Sequence, residues 1–564
     1  MRWGYCNCFL YMLLLAYTGG DLVVFPGKYL VDIPDDKGVH IKSAGAKGEM
    51  YIYKYVKYYR NAAGEPRNKA KAIGKLDPAS GRMIPNRNYF ELFHVEPSLP
   101  DVDIWDYGYS YLVVKVCRDI GLLTCLSRVF GERAMDIIVM AAYMIREGNA
   151  MDGLDDWQQR NYFPGYDRLL TSQASSRIFT SLTRAKQNEF FAYWVKETLG
   201  DGSVCYDVTS ISSYAQAMPA VERGYNRDGE ELAQFNLGMF CDEVSKMPLY
   251  YNCYNGSLTD RTNLSYVLAN AKSVGIERVK MILDGGFWSE ECLTSLHACC
   301  EAYTVGMPLH LKESERLLLA HGAGIEKYAH EVPGHQHVSC VAVETVLYGV
   351  RGRVLIYYDS WNHLNQCVDL SHTIDRLKAE LESLERYPKS RLNRYKPYFT
   401  LTRHEQDNGF DYTVDMEKID HMRARKGYFL LFSTDMVSSP ADLLDYYRAK
   451  DADEKLFSQI KVDMDGNRMR THNEQTTDGK VFVTFVACLI RSMMLHRLAN
   501  YLNENATSMK KAFAQLSNIS IVSSPNGYRF TKALTKKQKQ ILAAFHAVDD
   551  IIGSVKDPMS TLKS

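Results

Sequence analysis

Residues 443–461 read LLDYYRAKDADEKLFSQIK. At about 100° per residue, Tyr447, Lys450, Glu454 and Lys461 fall along one stripe of a single helix, because their offsets from Glu454 are seven, four, zero and seven residues. One acid is set in a row of cations. A solvated charged face has the same pattern, so its meaning depends on what the chain supplies upstream.

Upstream are two strand-end aspartates. SVCYDVTSIS (203–212) alternates, with Val204, Tyr206 and Val208 on one side and Asp207 on the other. RVKMILDGGF (278–287) is a short apolar strand that ends at Asp284 before two glycines, a common way to expose a carboxylate at a sheet edge. Between them, LAQFNLGMFCDEV and MPLYYNCY read as adjacent antiparallel strands. Three converging carboxylates repel one another without a cation. Their usual purpose is to hold two divalent ions about 4 Å apart for phosphodiester chemistry, and hard oxygen ligands favour Mg²⁺ or Mn²⁺. The separations, 77 and 170 residues, make this an arrangement of distant elements rather than a local motif.

The helix supplies the specificity. Tyr447, two residues, Lys450, three residues, Glu454, six residues, Lys461 resembles the DDE transposases of bacterial insertion sequences, in the superfamily (insertion sequence four type) whose third-acid helix carries Y-(2)-R-(3)-E-(6)-K. Lysine stands at position 450 where that superfamily has arginine. YYRAKDADEKLFSQIK is similar to the branch related to the insertion sequence numbered sixteen thirty-four. YDVTS around Asp207, GYNRDG at 224–229, LDGGF around Asp284 and the segment YKYVKYYRNAAGEPRNKAKAIGKLDPASGRMIPN resemble further parts of that branch.

The resemblance implies a ribonuclease-H-like α/β core with an inserted subdomain between the second and third acids. It implies Asp207, Asp284 and Glu454 as ligands of two Mg²⁺ or Mn²⁺ ions, and cleavage of the ends of an insertion sequence followed by strand transfer. The partners implied are double-stranded DNA, as terminal inverted repeats and target, and a second copy of the chain in the DNA complex. Tyr447, Lys450 and Lys461 would contact phosphates, with Arg448 on a neighbouring face; lysine at 450 keeps the charge and loses the bidentate fork. Arg227 would contact DNA, and Arg227 and Asp228 would lie behind the metal ligands or form a turn salt bridge. Trp288 reads as a core residue, with stacking on a base as its alternative.

The rest of the chain sorts around this core. YIYKYVKYYR (51–60) returns through Ala62, Ala63 and Gly64 as PRNKAKAIGKL, a hairpin with Tyr51, Tyr53, Tyr55 and Tyr59 on one face. Lys54, Lys57, Lys69 and Lys71 surround it, and aromatics interleaved with cations suit DNA contact. The expected domains are a signal-like or spurious extension at 1–25, a basic hairpin region and linker at 26–100, and a helical domain at 101–200. The core follows in two parts, 201–300 and 426–500, separated by the inserted subdomain at 301–425, and a helical tail closes the chain at 501–564. The apolar helix KVFVTFVACLIRSMMLHRL is too short and too charged at its end to span a bilayer, so no membrane is expected.

Composition limits the alternatives. With 67 basic and 67 acidic side chains there is no global attraction to a polyanion, and DNA must be held by local patches. Thirteen cysteines without a C-x-x-C pair suit reduced thiols in a cytoplasmic protein. His330, His335 and His337 lack zinc-site spacing, and neither a phosphate-binding P-loop nor a G-x-S-x-G elbow occurs. The competing readings are a metal-dependent DNA nuclease without strand transfer and a domesticated DNA-binding protein.

Overall fold

The computed structural model describes residues 30–555 apart from 45–48, 79, 96–103, 201–202, 214–220, 224–231, 278, 405–408, 472 and 525–526. The chain divides into two units. One comprises Met1–Tyr111, Arg160–Gly165 and Ala512–Ser564; the other comprises Leu112–Gln159 and Tyr166–Lys511. The helical stretch expected at 101–200 is cut by this division, and most of the expected tail belongs with the amino-terminal segment.

In the first unit, β1 (Val39–Ala44), β2 (Glu49–Arg60), β3 (Pro66–Leu76) and β4 (Met83–Pro85) form an antiparallel sheet in that order. The turn from β2 to β3 is shaped by Asn61, whose side chain accepts from the Ala63 and Glu65 N–H groups, and by Gly64 at φ 77°. Ile52, Ile73 and Met83 form the small core. Beyond Tyr55 and Ala72 the ribbon is exposed on both faces.

A bulge between Tyr55 and Lys57 reverses the alternation there. The aromatic row is therefore Tyr53, Tyr55 and Tyr58, with the Tyr55 and Tyr58 rings 5.7 Å apart. Tyr59, expected on that face, is turned to the other. A second, three-stranded sheet joins β5 (Ile104–Asp106) to β16 (Ser520–Ser524) and β17 (Gly527–Phe530) in the order β17-β16-β5. Burying Ile521 opposite Trp105 ties the segment around 104–106 to the segment around 520–524.

The second unit is built on an eight-stranded mixed sheet. Its strands are β6 (Ser203–Ser212), β7 (Gln234–Asp242), β8 (Pro248–Asn255), β9 (Lys280–Leu283), β10 (Ala302–Met307), β11 (Val338–Leu347), β12 (Val350–Asp359) and β15 (Tyr428–Ser433), in the order β11-β12-β15-β10-β9-β6-β7-β8. β6, β9 and β10 are parallel neighbours, while β7 and β8 run antiparallel beyond β6. The sub-order β8-β7-β6-β9-β10 is compatible with a ribonuclease-H-like core. The expected insertion at 301–425 does not lie apart from this sheet, because β10, β11 and β12 extend it. The helix Ser360–Glu382 and the hairpin of β13 (Phe399–Arg403) with β14 (Phe410–Val414) have a core of their own around Leu377, Leu381, Tyr395 and Phe399.

Four helices bear on the sites below: α1 (Ser172–Ser181), α2 (Pro440–Ala449), α3 (Asp451–Ser458) and α4 (Glu474–Glu504). Serine, proline and aspartate start α2. The Ser439 side chain accepts from the Asp442 N–H, Asp442 answers with a bond from the Ser439 N–H, and Pro440 needs no donor in the first turn. Leu443 and Leu444 then bury against Leu355, Tyr357 and Leu431 of β12 and β15.

Among the described residues α4 is the helix long and apolar enough to cross a membrane, and 72% of its apolar window is buried inside the protein. Phe485 packs edge-on against Phe191 and beside Tyr251 of β8, as a core helix does. The eleven described cysteines are all free thiols.

Candidate active site

The expected single helix over 442–461 is instead α2, a turn at Lys450, α3, and a π-helical turn over Gln459–Asp463. Lys450 keeps helical angles, φ −56° and ψ −25°, but its N–H bonds three residues back to the Tyr447 carbonyl at 3.3 Å. The path stays helical across the turn, so Tyr447 and Lys450 both reach one partner. The π turn widens the helix by one residue, and the phase that a 3.6-residue period gave Lys461 no longer applies. Lys461 sits within that turn, partly exposed.

That partner is Asp284. Tyr447 donates its hydroxyl to Asp284 Oδ1 at 3.2 Å, and Lys450 Nζ lies 3.2 Å from the same oxygen. Lys450 is 7% exposed, whereas the Asp284 side chain is half exposed. Burial works against ionisation of Asp284. The Lys450 charge and hydrogen bonds from Lys450, the Gly285 N–H and Tyr447 outweigh it, holding the carboxyl below the usual carboxylate range. Tyr447 approaches because position 306 is glycine: a Cβ there would stand 2.6 Å from its hydroxyl oxygen. Gly306 is a positioning residue that the sequence did not single out.

Asp207 and Asp284 stand at the same level of the sheet. The parallel pairing of β6 with β9 matches Ser203 to Lys280 and Cys205 to Ile282, an offset of 77 residues. Asp207 and Asp284 differ by the same 77. Asp284 continues the extended conformation of β9 at φ −76° and ψ 161°, so both carboxylates belong to one face, on strands about 4.8 Å apart. Asp207 is the single position of β6 that is not fully buried. α2 packs on β9 and α3 packs on β6. The helix carrying Glu454 therefore lies against the strand carrying Asp207. The Glu454 side chain is outside the described residues, as are Arg227 and Asp228.

Two carboxylates level on neighbouring strands, one of them open to water, fit a divalent cation's preference for hard oxygen donors. No cluster of three or more metal-binding side chains occurs among the described residues, and the Glu454 side chain is not one of those.

The other expected contacts divide sharply. Arg448 bonds Asp359 Oδ2 at 3.0 Å and faces His335 Nδ1 at 3.4 Å, while His335 Nε2 lies 3.0 Å from Asp445. These contacts fasten α2 to the end of β12. His337 stacks on Trp361 with ring centroids 4.2 Å apart. Trp288 is a core residue, 5% exposed and edge-on to Phe432. On the ribbon, Lys54 is paired with Asp36, whereas Lys57, Lys69 and Lys71 are exposed.

No family model matches the chain, and no curated protein matches it. Among solved structures it is similar to a piggyBac transposase synaptic complex with hairpin DNA, at 10% identity and a TM-score of 0.34, over 79% of this chain and 76% of that chain. The likeness is to a transposase in the coarsest sense only. It is too slight to carry an argument and does not reach the insertion-sequence branch.

Proposed function

We propose that this chain is a DDE-type transposase that binds the ends of an insertion sequence and performs metal-dependent cleavage and strand transfer. One observation carries the reading: the two aspartates share a level on parallel neighbours while the helix bearing Glu454 packs on the first of those strands. Asp207, Asp284 and Glu454 would hold two Mg²⁺ or Mn²⁺ ions. Such ions activate an attacking water or hydroxyl and stabilise the leaving oxygen of a phosphodiester.

The chain's own groups prepare that site. Lys450 and Tyr447 fix one oxygen of Asp284 and keep its carboxyl ionised. Lys461 and the ribbon cations Lys57, Lys69 and Lys71 would contact phosphates of double-stranded DNA. Arg448, held by Asp359, would act by fixing α2. The segment 360–425 is the best remaining candidate for the insertion, since it packs around its own core. Two copies would pair the two ends of the element.

The test uses the full chain with Mg²⁺ and labelled DNA carrying the inverted repeats that flank its coding sequence. A transposase yields cleaved ends and joined products. Cleavage without joining would identify a nuclease, and a mobility shift alone a DNA-binding protein. Glu454→Gln should abolish both products, by about a thousandfold or more, at about 1.4 kcal/mol per factor of ten. DNA binding should survive. Cleavage at the parental rate would overturn the assignment of Glu454.

A further inference from the structure

A second site lies in the same unit, at the amino-terminal end of α4. A cavity of about 500 Å³ opens between the first turns of α1 and α4, with Ser172, Ser176, Asn473, Thr476, Arg470 and Lys480 among its walls. Gly479 brings the two helices together, since a Cβ there would overlap the Phe179 carbonyl oxygen. Thr180 and Thr476 share a hydrogen bond of 3.1 Å across the same contact.

Lys480 is 2% exposed. Its ammonium has three donors, and among the described residues one is used, to Asn149 Oδ1 at 3.0 Å. Asn149 is fixed in that orientation because its amide nitrogen donates to the carbonyls of Asp465 and Arg468. No described carboxylate lies within ion-pair distance of Lys480. Asp465 is engaged by Arg470 at 2.6 Å, and Asp152 lines the cavity from an exposed position. A buried ammonium facing only a neutral oxygen is an incomplete arrangement, since buried charges are ordinarily paired. The amino-terminal ends of both helices add partial positive charge on the same side.

We infer that this cavity binds a phosphate group, held by Lys480 and Arg470 with hydroxyl and backbone donors from the first turns of α1 and α4. The inference does not rest on the transposase reading. The phosphate can come from a DNA strand or from a free anion, which present the same oxygens. Burial lowers the Lys480 ammonium to about 8, and an anion beside it would raise that value again.

The experiment is calorimetric titration of the full chain with inorganic phosphate at fixed ionic strength, repeated with Lys480→Met and with Ser176→Asp. The second variant alters an exposed side chain and places a carboxylate in the cavity. Wild type should bind, and each variant should bind at least tenfold more weakly. Absence of binding by wild type overturns the site, as does undiminished binding by Ser176→Asp or by folded Lys480→Met. A competing short single-stranded oligonucleotide identifies the source. Displacement of phosphate assigns the site to a DNA strand and retention assigns it to the free anion, and either result upholds the site.

Discussion

Two buried lysines in the same unit are handled in opposite ways. Lys450, 7% exposed, lies 3.2 Å from the Asp284 carboxylate and borders the ring of Tyr447. Lys480, 2% exposed, meets only the amide oxygen of Asn149 among the described residues. Desolvating an ammonium is unfavourable in both places. At Lys450 the chain offsets it with its own acid, so the group belongs to a site prepared in advance. At Lys480 no described carboxylate is in ion-pair contact and the more distant charge of Asp465 does not outweigh burial, which a bound anion can do.

The strongest way to break this contrast is to remove the acid beside Lys450. Asp284→Asn should abolish DNA cleavage, by about a thousandfold if the carboxylate is a ligand. It should also destabilise the fold by about 2–3 kcal/mol, since it strands a buried charge. Lys450→Met strands a half-exposed carboxylate that water can reach, so about 1 kcal/mol is expected. Urea unfolding of both variants checks the order. The acid limb gives the sign. Asp284 has a lowered folded pKa, so its contribution is full above its ordinary value near 4 and is lost as pH falls through the folded value. In Lys450→Met the folded value rises toward the ordinary one, so that loss should be smaller. Equal destabilisation by the two variants would mean that Lys450 is not relying on Asp284.

At Lys480 the slope has the same sign, but here the fold penalises the charged form instead of stabilising it. Its folded pKa is about 8 against the ordinary lysine value of 10.5. Between those values the unfolded chain binds more protons, so this group makes stability rise with pH across that window. Below pH 8 the full penalty applies, on the order of 3 kcal/mol at about 1.4 kcal/mol per unit. Lys480→Met should therefore be more stable than wild type at pH 7 without phosphate, and the difference should shrink by pH 10. Arg470, Asp465 and Asp152 are retained in both proteins, so the difference isolates the lysine. A less stable Lys480→Met at pH 7 would show that Asn149 alone satisfies the ammonium.

How much of this the sequence disclosed follows the range of each interaction. β6, β7, β8 and β9 were legible because alternation and strand-ending glycines are local signals. The helix carrying Tyr447 and Lys450 was legible through its spacing. The turn at Lys450 was not, nor was its contact with Asp284, 166 residues away. The joining of Trp105 to Ile521 in the first unit, and the pairing of β10 and β12 with β15, are likewise long-range pairings without a local signature. The bulge at Tyr55 turned Tyr59 away through one extra residue that periodicity does not register. Lys480 heads an apolar run, and nothing in its spacing singled it out. The signal available was its place between Gly479 and the apolar Val481, Phe482 and Val483.

A third class of cation tests the comparison from outside. Lys57, Lys69 and Lys71 on the distal ribbon are exposed, so water solvates them and they carry neither the need of Lys480 nor the partner of Lys450. Replacing all three with glutamine should leave stability within about 0.5 kcal/mol of wild type. If they bind phosphates, DNA affinity should fall, and the slope of log affinity against log salt should flatten by about 0.9 for each phosphate no longer neutralised, about 2.7 for all three. The same slope in variant and parent would place the DNA elsewhere on the chain. A changed slope with unchanged stability would show that cations the fold does not use are the ones kept for DNA.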